Sequence, residues 1–249
     1  ITSSLILEYE FFLKARGVTM NTISFYMRIL RAVYNRAIEC GLTTQTFPFK
    51  NVYTGISQTA KRAIPLTAIQ KIKALELPPS SSIDLARNMF LFSFYTRGMA
   101  FIDMAYLKKQ DLQNGILIYN RRKTGQRLFI KWEPCMQDII NKYPPNPTPH
   151  LLPIITKEEN KRQQYQNSLR LVNNKLKIIA DMINLSISLT LYATRHSWAS
   201  IARSQNIPLA VISQGMGHRS ENTTRIYLDT LDNTIIDNAN SLILQQVTI

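Results

Sequence analysis

Apolar residues recur at intervals of three and four from Asn21 onward, at Ile23, Tyr26, Met27, Leu30, Val33, Tyr34, Ala37 and Ile38. That is the spacing of an amphipathic helix, and Gly41 is placed to stop it. Leu5 to Leu13 carries enough apolar residues for a companion helix. Between Phe47 and Pro65 the period is lost and Pro48, Lys50, Gly55, Lys61 and Arg62 collect, which is linker chemistry. A boundary is therefore expected near residue 60, dividing a helical unit over 1–60 from a larger one over 61–249. The larger unit opens with a predicted helix from Thr67 to Leu75, followed by one from Ser82 to Tyr95. This second helix is apolar on nearly every side through Met89-Phe90-Leu91-Phe92-Ser93-Phe94, as expected at a domain centre. Gly115 to Tyr119 and Arg127 to Trp132 are short aromatic and β-branched runs around a polar turn, the pattern of a β-hairpin. A polar helix is predicted from Glu158 to Ile183. Trp198, Ala199, Ile201 and Ala202 mark another, and Pro208 suits the first position of one carrying Leu209, Val211, Ile212 and Met216. Ile235, Ile236, Leu242, Ile243 and Leu244 read as a last amphipathic helix. The expected class is mainly α with a small β-hairpin or sheet.

Charge narrows the partners. Thirty Lys and Arg against sixteen Asp and Glu give the 249-residue chain a formal charge of +14, a field that attracts polyanions. The basic residues are spread along the chain, and no apolar run approaches the ~20 residues of a membrane span, so nucleic acid is favoured over lipid. Arg28 and Arg31 fall off the apolar stripe of the helix from Asn21; they suit either a phosphate backbone or a solvated face. Cys40 and Cys135 lie far apart with no C-x-x-C pair and no cysteine–histidine cluster, which disfavours zinc or a disulfide framework and fits a reducing cytoplasm. No glycine-rich phosphate loop and no carboxylate cluster for magnesium occurs, so the expected cofactor is none. The chain begins Ile-Thr-Ser-Ser, without an initiator methionine or a signal-type segment, as a fragment of a longer protein would.

The C-terminal third concentrates candidate chemistry. Tyr192-Ala193-Thr194-Arg195-His196 is followed by Gly215-Met216-Gly217-His218 and then by Thr223-Thr224-Arg225-Ile226-Tyr227. An anionic phosphodiester attacked by a tyrosine needs fixed cations and donors around it, and this segment supplies an arginine, histidines and a tyrosine. In order and separation the residues resemble the signature of the tyrosine recombinases, the phage-integrase family, in which the tyrosine follows the turn histidine by nine residues. Tyr227 follows His218 by that interval. Upstream, Arg121-Arg122-Lys123-Thr124-Gly125 looks like the family's hairpin lysine, and Thr96 to Leu107 like its first arginine box.

The resemblance implies a SAM-like core-binding domain, a mostly helical catalytic domain and a site-specific recombinase acting on double-stranded DNA through a 3′-phosphotyrosyl intermediate. It implies catalytic roles for Arg97, Lys123, Tyr192, Arg195, His218 and Tyr227; Arg28, Arg31, Lys61, Arg62, Arg121 and Arg122 are the candidate DNA contacts, with an exposed, solvated placement as the alternative. It also implies a homotetramer on DNA, a monomer or weak oligomer otherwise, and a place on the bacterial nucleoid in the cytoplasm. Two positions depart from the pattern. Matching Gly98-Met99 and Asp103 to the first box puts Ala100 where the arginine belongs, and Arg97 stands three residues early, about one helical turn. Tyr192 replaces the usual histidine or lysine, and with an ordinary pKa near 10 it is a poor proton acceptor; it either bonds the phosphate or packs. Read without the resemblance, Lys123 is an ordinary exposed lysine. Rival readings are a type IB topoisomerase, a DNA-binding relative without catalysis, and an RNA-binding protein.

Overall fold

A computed structural model describes residues 1–57, 62–225, 228, 240 and 244. The chain divides into two compact units, Ile1–Ala60 and Lys61–Ile249.

The first unit pairs helix α1 (Ser3–Ala15) with α2 (Met20–Glu39). Thr2 caps α1 by accepting from the Leu5 amide, satisfying one of the donors a helix start leaves open. The shared core is Ile6, Leu13, Ile23, Met27 and Tyr34, closed by Phe49 and Val52 from the segment that follows. The α2 stripe is narrower than its sequence suggests: Tyr26 and Val33 are exposed, because a two-helix unit has too little partner surface to cover the whole face. Asn21 pins the later segment by donating to the Ser57 carbonyl and accepting from its amide.

The second unit is arranged around α4 (Ser82–Tyr95), whose Met89, Phe90 and Phe92 are fully buried. Ser81 caps it through the Asp84 amide. Against it pack α3 (Leu66–Ala74), α6 (Pro134–Asn141), α7 (Lys161–Met182) and α8 (Ala193–Ser204). A short α5 (Phe101–Tyr106) leads through a single 3₁₀ turn into an antiparallel sheet in the order β1 (Leu112–Gln113), β2 (Ile116–Asn120), β3 (Arg127–Lys131). In register, Asn120 faces Arg127 and Ile116 faces Lys131, so Leu117, Tyr119, Leu128 and Ile130 all point into the core. α9 (Leu209–Gly215) and α10 (Glu221–Arg225) follow, and Ile212 and Met216 join Ala199 and Ala202 in a small second cluster. Pro208, expected at the first helical position, is instead the N-cap of α9, one position earlier. Of the predicted helix beyond Asp232 only Asn240 and Leu244 are described, both in helical conformation; the rest of it, like Lys61 and Tyr227, lies outside the described residues.

Candidate active site

The exit of α4 determines where the site lies. After Tyr95 the chain turns through Arg97 and Gly98, both with positive φ, of 63° and 71°. A Cβ on Gly98 would stand 2.5 Å from Cα of Arg195, so only glycine lets this turn press against the start of α8. The two segments are stitched together by Ser93, which donates to the Met99 carbonyl and shares a 2.7 Å hydrogen bond with Thr194. Ser197, one turn further along α8, accepts from the Ile64 amide.

This stitching holds Arg195 rigid. Its side chain is buried, one terminal nitrogen donates to the Gly98 carbonyl at 2.9 Å, and the other reaches both the Met216 carbonyl and Nε2 of His218. A guanidinium can only donate, so Nε2 of His218 must accept and the imidazole proton must sit on Nδ1, which then donates to Thr224 Oγ1 at 2.8 Å. The electrostatics agree. Burial, and then the charges of Arg195, Arg121 and Lys123, push the His218 pKa down to about 3, so the ring is neutral at physiological pH. His218 therefore presents an acceptor to Arg195.

Arg121 is the largest departure from its expected surroundings. Grouped by sequence with exposed DNA-contacting residues, it is buried, and Nη1 donates to the Gly217 carbonyl at 2.7 Å. Its neighbour Arg122 is exposed and lies 4.1 Å over the Tyr106 ring, a cation–π contact. The Arg122 amide donates to Asp103, the carboxylate of the first box, whose pKa burial raises against the lowering effect of that hydrogen bond and of Arg121, Arg195 and Arg122. Tyr119, on the adjacent strand, is held above the usual tyrosine range by burial and by Asp103, while Arg195, Arg121 and Arg97 oppose the shift. Arg121 and Arg195 thus act on both the buried phenol and the carboxylate, Arg97 on the phenol and Arg122 on the carboxylate.

The other candidates occupy different ground. Lys123 is exposed at the tip of the β2–β3 hairpin, close enough for its charge to bear on His218. Arg97 is half-buried with its aliphatic chain beside Gly215. Tyr192 is exposed at the start of α8, its ring edge-on to His196 at 5.1 Å. A cavity of about 350 Å³ is lined by Ala100, Tyr192, Arg195 and Arg62 among others, which places Arg62 on the same cavity as Ala100. Arg28 and Arg31 are exposed on α2 of the first unit. Sequence reasoning quoted Thr224 within the C-terminal box but gave it no role, and it passed over Arg219, whose guanidinium donates to the Thr124 carbonyl at 2.9 Å. Among the described residues no three histidine, cysteine or acidic side chains form a metal-binding group, and no helix is long and apolar enough to cross a membrane.

Comparison with known proteins gives the class first. Residues 1–52 match the phage integrase SAM-like domain, and the fold is that of the tyrosine recombinases. Among solved structures, a lambda integrase dimer bound to a COC′ core site superposes with a TM-score of 0.70 at 16% identity, over 93% of this chain and 83% of that one. The Tn1549 transposon integrase in complex with a circular intermediate DNA gives 0.71 at 15% identity, over 98% and 85%. By sequence, the tyrosine recombinase XerC of Rickettsia typhi is 26% identical over 151 residues, 59% of this chain and 48% of the relative. The chain spans about half the length of the curated relatives it matches.

Proposed function

We propose that the chain is a site-specific DNA recombinase, an integrase that cleaves and rejoins double-stranded DNA through a covalent 3′-phosphotyrosyl intermediate. The observation that carries this reading is the Arg195 clamp: a buried guanidinium held by the Gly98 and Met216 carbonyls beside a neutral His218, with Arg121 and Arg97 close by. Cations fixed in advance in a water-poor site stabilise charge developing on a phosphoryl group without reorganising, the largest single contribution in many enzymes. Arg97, in a backbone conformation that costs a non-glycine residue about 1–2 kcal/mol, supplies the cation that Ala100 does not.

Tyr227 is the nucleophile. Its phenol oxygen bonds to the scissile phosphorus as the bond to the 5′-oxygen breaks; the phenol proton passes to water, and the departing oxygen takes a proton from Lys123. The products are a 3′-phosphotyrosyl enzyme and a 5′-hydroxyl. The ester energy stays in the covalent link, so a 5′-hydroxyl from a partner strand can reverse the step without ATP, metal or cofactor. Tyr192 and Arg62 border the phosphate, Arg122 and Lys61 follow the backbone near the hairpin and linker, and Arg28 and Arg31 do so in the core-binding unit. On DNA the protein assembles as a tetramer around two duplexes, in the bacterial cytoplasm at the nucleoid. The lambda integrase tetramer bound to a Holliday junction is a neighbour in fold that supports this picture.

The test is covalent trapping. Nicked suicide duplexes tiling the sequences that flank the gene's own element should yield a denaturation-resistant adduct that maps to Tyr227 and is absent in Tyr227→Phe. No adduct, or one on another residue, overturns the proposal. Supercoil relaxation without recombination of a two-site plasmid would move the chain to the type IB topoisomerases.

A further inference from the structure

The residues on either side of Lys123 bond to the residues on either side of His218. Arg121, two before Lys123, donates to the Gly217 carbonyl, while Arg219 reaches back to the Thr124 carbonyl, one residue after Lys123. Gly217 adds a close approach: a Cβ there would stand 3.0 Å from Leu128 on β3, so the loop lies directly against the hairpin. The geometry points to Arg219 and Arg121 as positioning residues that lock the hairpin bearing Lys123 to the loop bearing His218, so that the proton donor and the phosphate pocket are set in register as one unit. The inference rests on the recombinase reading and on Lys123 as its acid.

Two observations favour a clip over a pair of DNA contacts. The Arg121 side chain is buried with one donor already spent on a backbone carbonyl. Arg219 aims at a backbone carbonyl of the turn itself, and a charge-assisted bond to a carbonyl restrains a hairpin tip that is otherwise exposed. A two-stranded tip has little packing of its own, so its placement depends on such bonds.

The consequence is specific to proton delivery. Displacing an acid by about 1 Å costs up to 10²-fold in rate, but only when the leaving group needs the proton. Replacing the bridging 5′-oxygen of the scissile phosphate by sulfur makes the leaving group a thiolate that departs unprotonated. Single-turnover cleavage of the mapped nicked duplex, in its oxygen and 5′-bridging-sulfur forms, tests the clip. Lys123→Ala should slow the oxygen substrate by about 100-fold or more and the sulfur substrate hardly at all. Arg219→Ala should slow the oxygen substrate about tenfold and recover wild-type rate on sulfur, with Arg219→Lys between. The sulfur-to-oxygen rate ratio does not depend on how much protein is folded, so the buried Arg121→Met can be read the same way and should raise it too. In a Lys123→Ala background, Arg219→Ala should cost nothing further on oxygen. Equal slowing of Arg219→Ala on both substrates, no slowing, or additivity with Lys123→Ala overturns the clip. Failure of sulfur to rescue Lys123→Ala overturns instead the assignment of Lys123 as the acid, on which the clip depends.

Discussion

Replacing Gly98 by alanine isolates the contact on which the site is built. The residue sits at φ 71°, where a side chain costs about 1–2 kcal/mol. Its added Cβ would lie 2.5 Å from Cα and 2.9 Å from Cβ of Arg195, against the start of a buried helix, with no flexible atom to give way. Overpacking of that kind costs about 1–3 kcal/mol, so the expected loss is about 2–5 kcal/mol. Gly115→Ala is the control: the same unit, φ 72°, nothing within 4 Å of the new Cβ, and so about 1–2 kcal/mol. Urea unfolding followed by tryptophan fluorescence reads both, since Trp132 and Trp198, the chain's two tryptophans, lie in the second unit. Because the Gly98 carbonyl also receives Arg195, adduct formation by the folded fraction of Gly98→Ala should fall well beyond its loss of stability. Equal destabilisation by the two substitutions would refute the close approach as the reason for glycine. Undiminished adduct formation would refute the Arg195 clamp.

Other expectations follow from the same site. With a folded pKa of about 3 against an unfolded value near 6.5, His218 costs nothing above pH 6.5; below it the unfolded chain takes up a proton the folded one refuses, so stability falls by up to about 1.4 kcal/mol per pH unit. His218→Gln should flatten that decline in acid-unfolding curves between pH 6.5 and 4, and an unchanged slope would place the titration elsewhere. Thr224→Val removes the hydroxyl that accepts from Nδ1 of His218 in a buried setting and should cost about 1–3 kcal/mol in urea unfolding, with adduct yield reduced; a neutral result would remove Thr224 from the site. Affinity for duplex DNA should fall with salt at a log–log slope of about −0.9 per phosphate neutralised, and Arg28→Ala should lower that slope by about 1 if its guanidinium meets a phosphate.

Helices with a strong internal signal were legible in the chain. The bounds of α4 are those read from its apolar run, because a helix buried on every side with a serine cap has one conformation that satisfies all its backbone groups. The hairpin was visible to within a residue at each end because alternation and a glycine turn specify register. By contrast α5, α6 and β1 were not anticipated. They are short, carry too few residues to show a period, and are stabilised by the surface they pack on.

By itself, the order of residues determined the kind of chemistry on offer: a cationic chain, two arginine-bearing boxes, a histidine turn and a tyrosine at a fixed interval, all of it local information. What only the tertiary structure decided is which cations share a pocket and in what state. Arg121 and Arg122 are adjacent in the chain, yet one is buried against Gly217 and the other lies over Tyr106 in solvent. His218 is neutral because burial and three cations from distant segments act on it together. Desolvation and Coulomb energies depend on distances through space, which no spacing along the chain encodes.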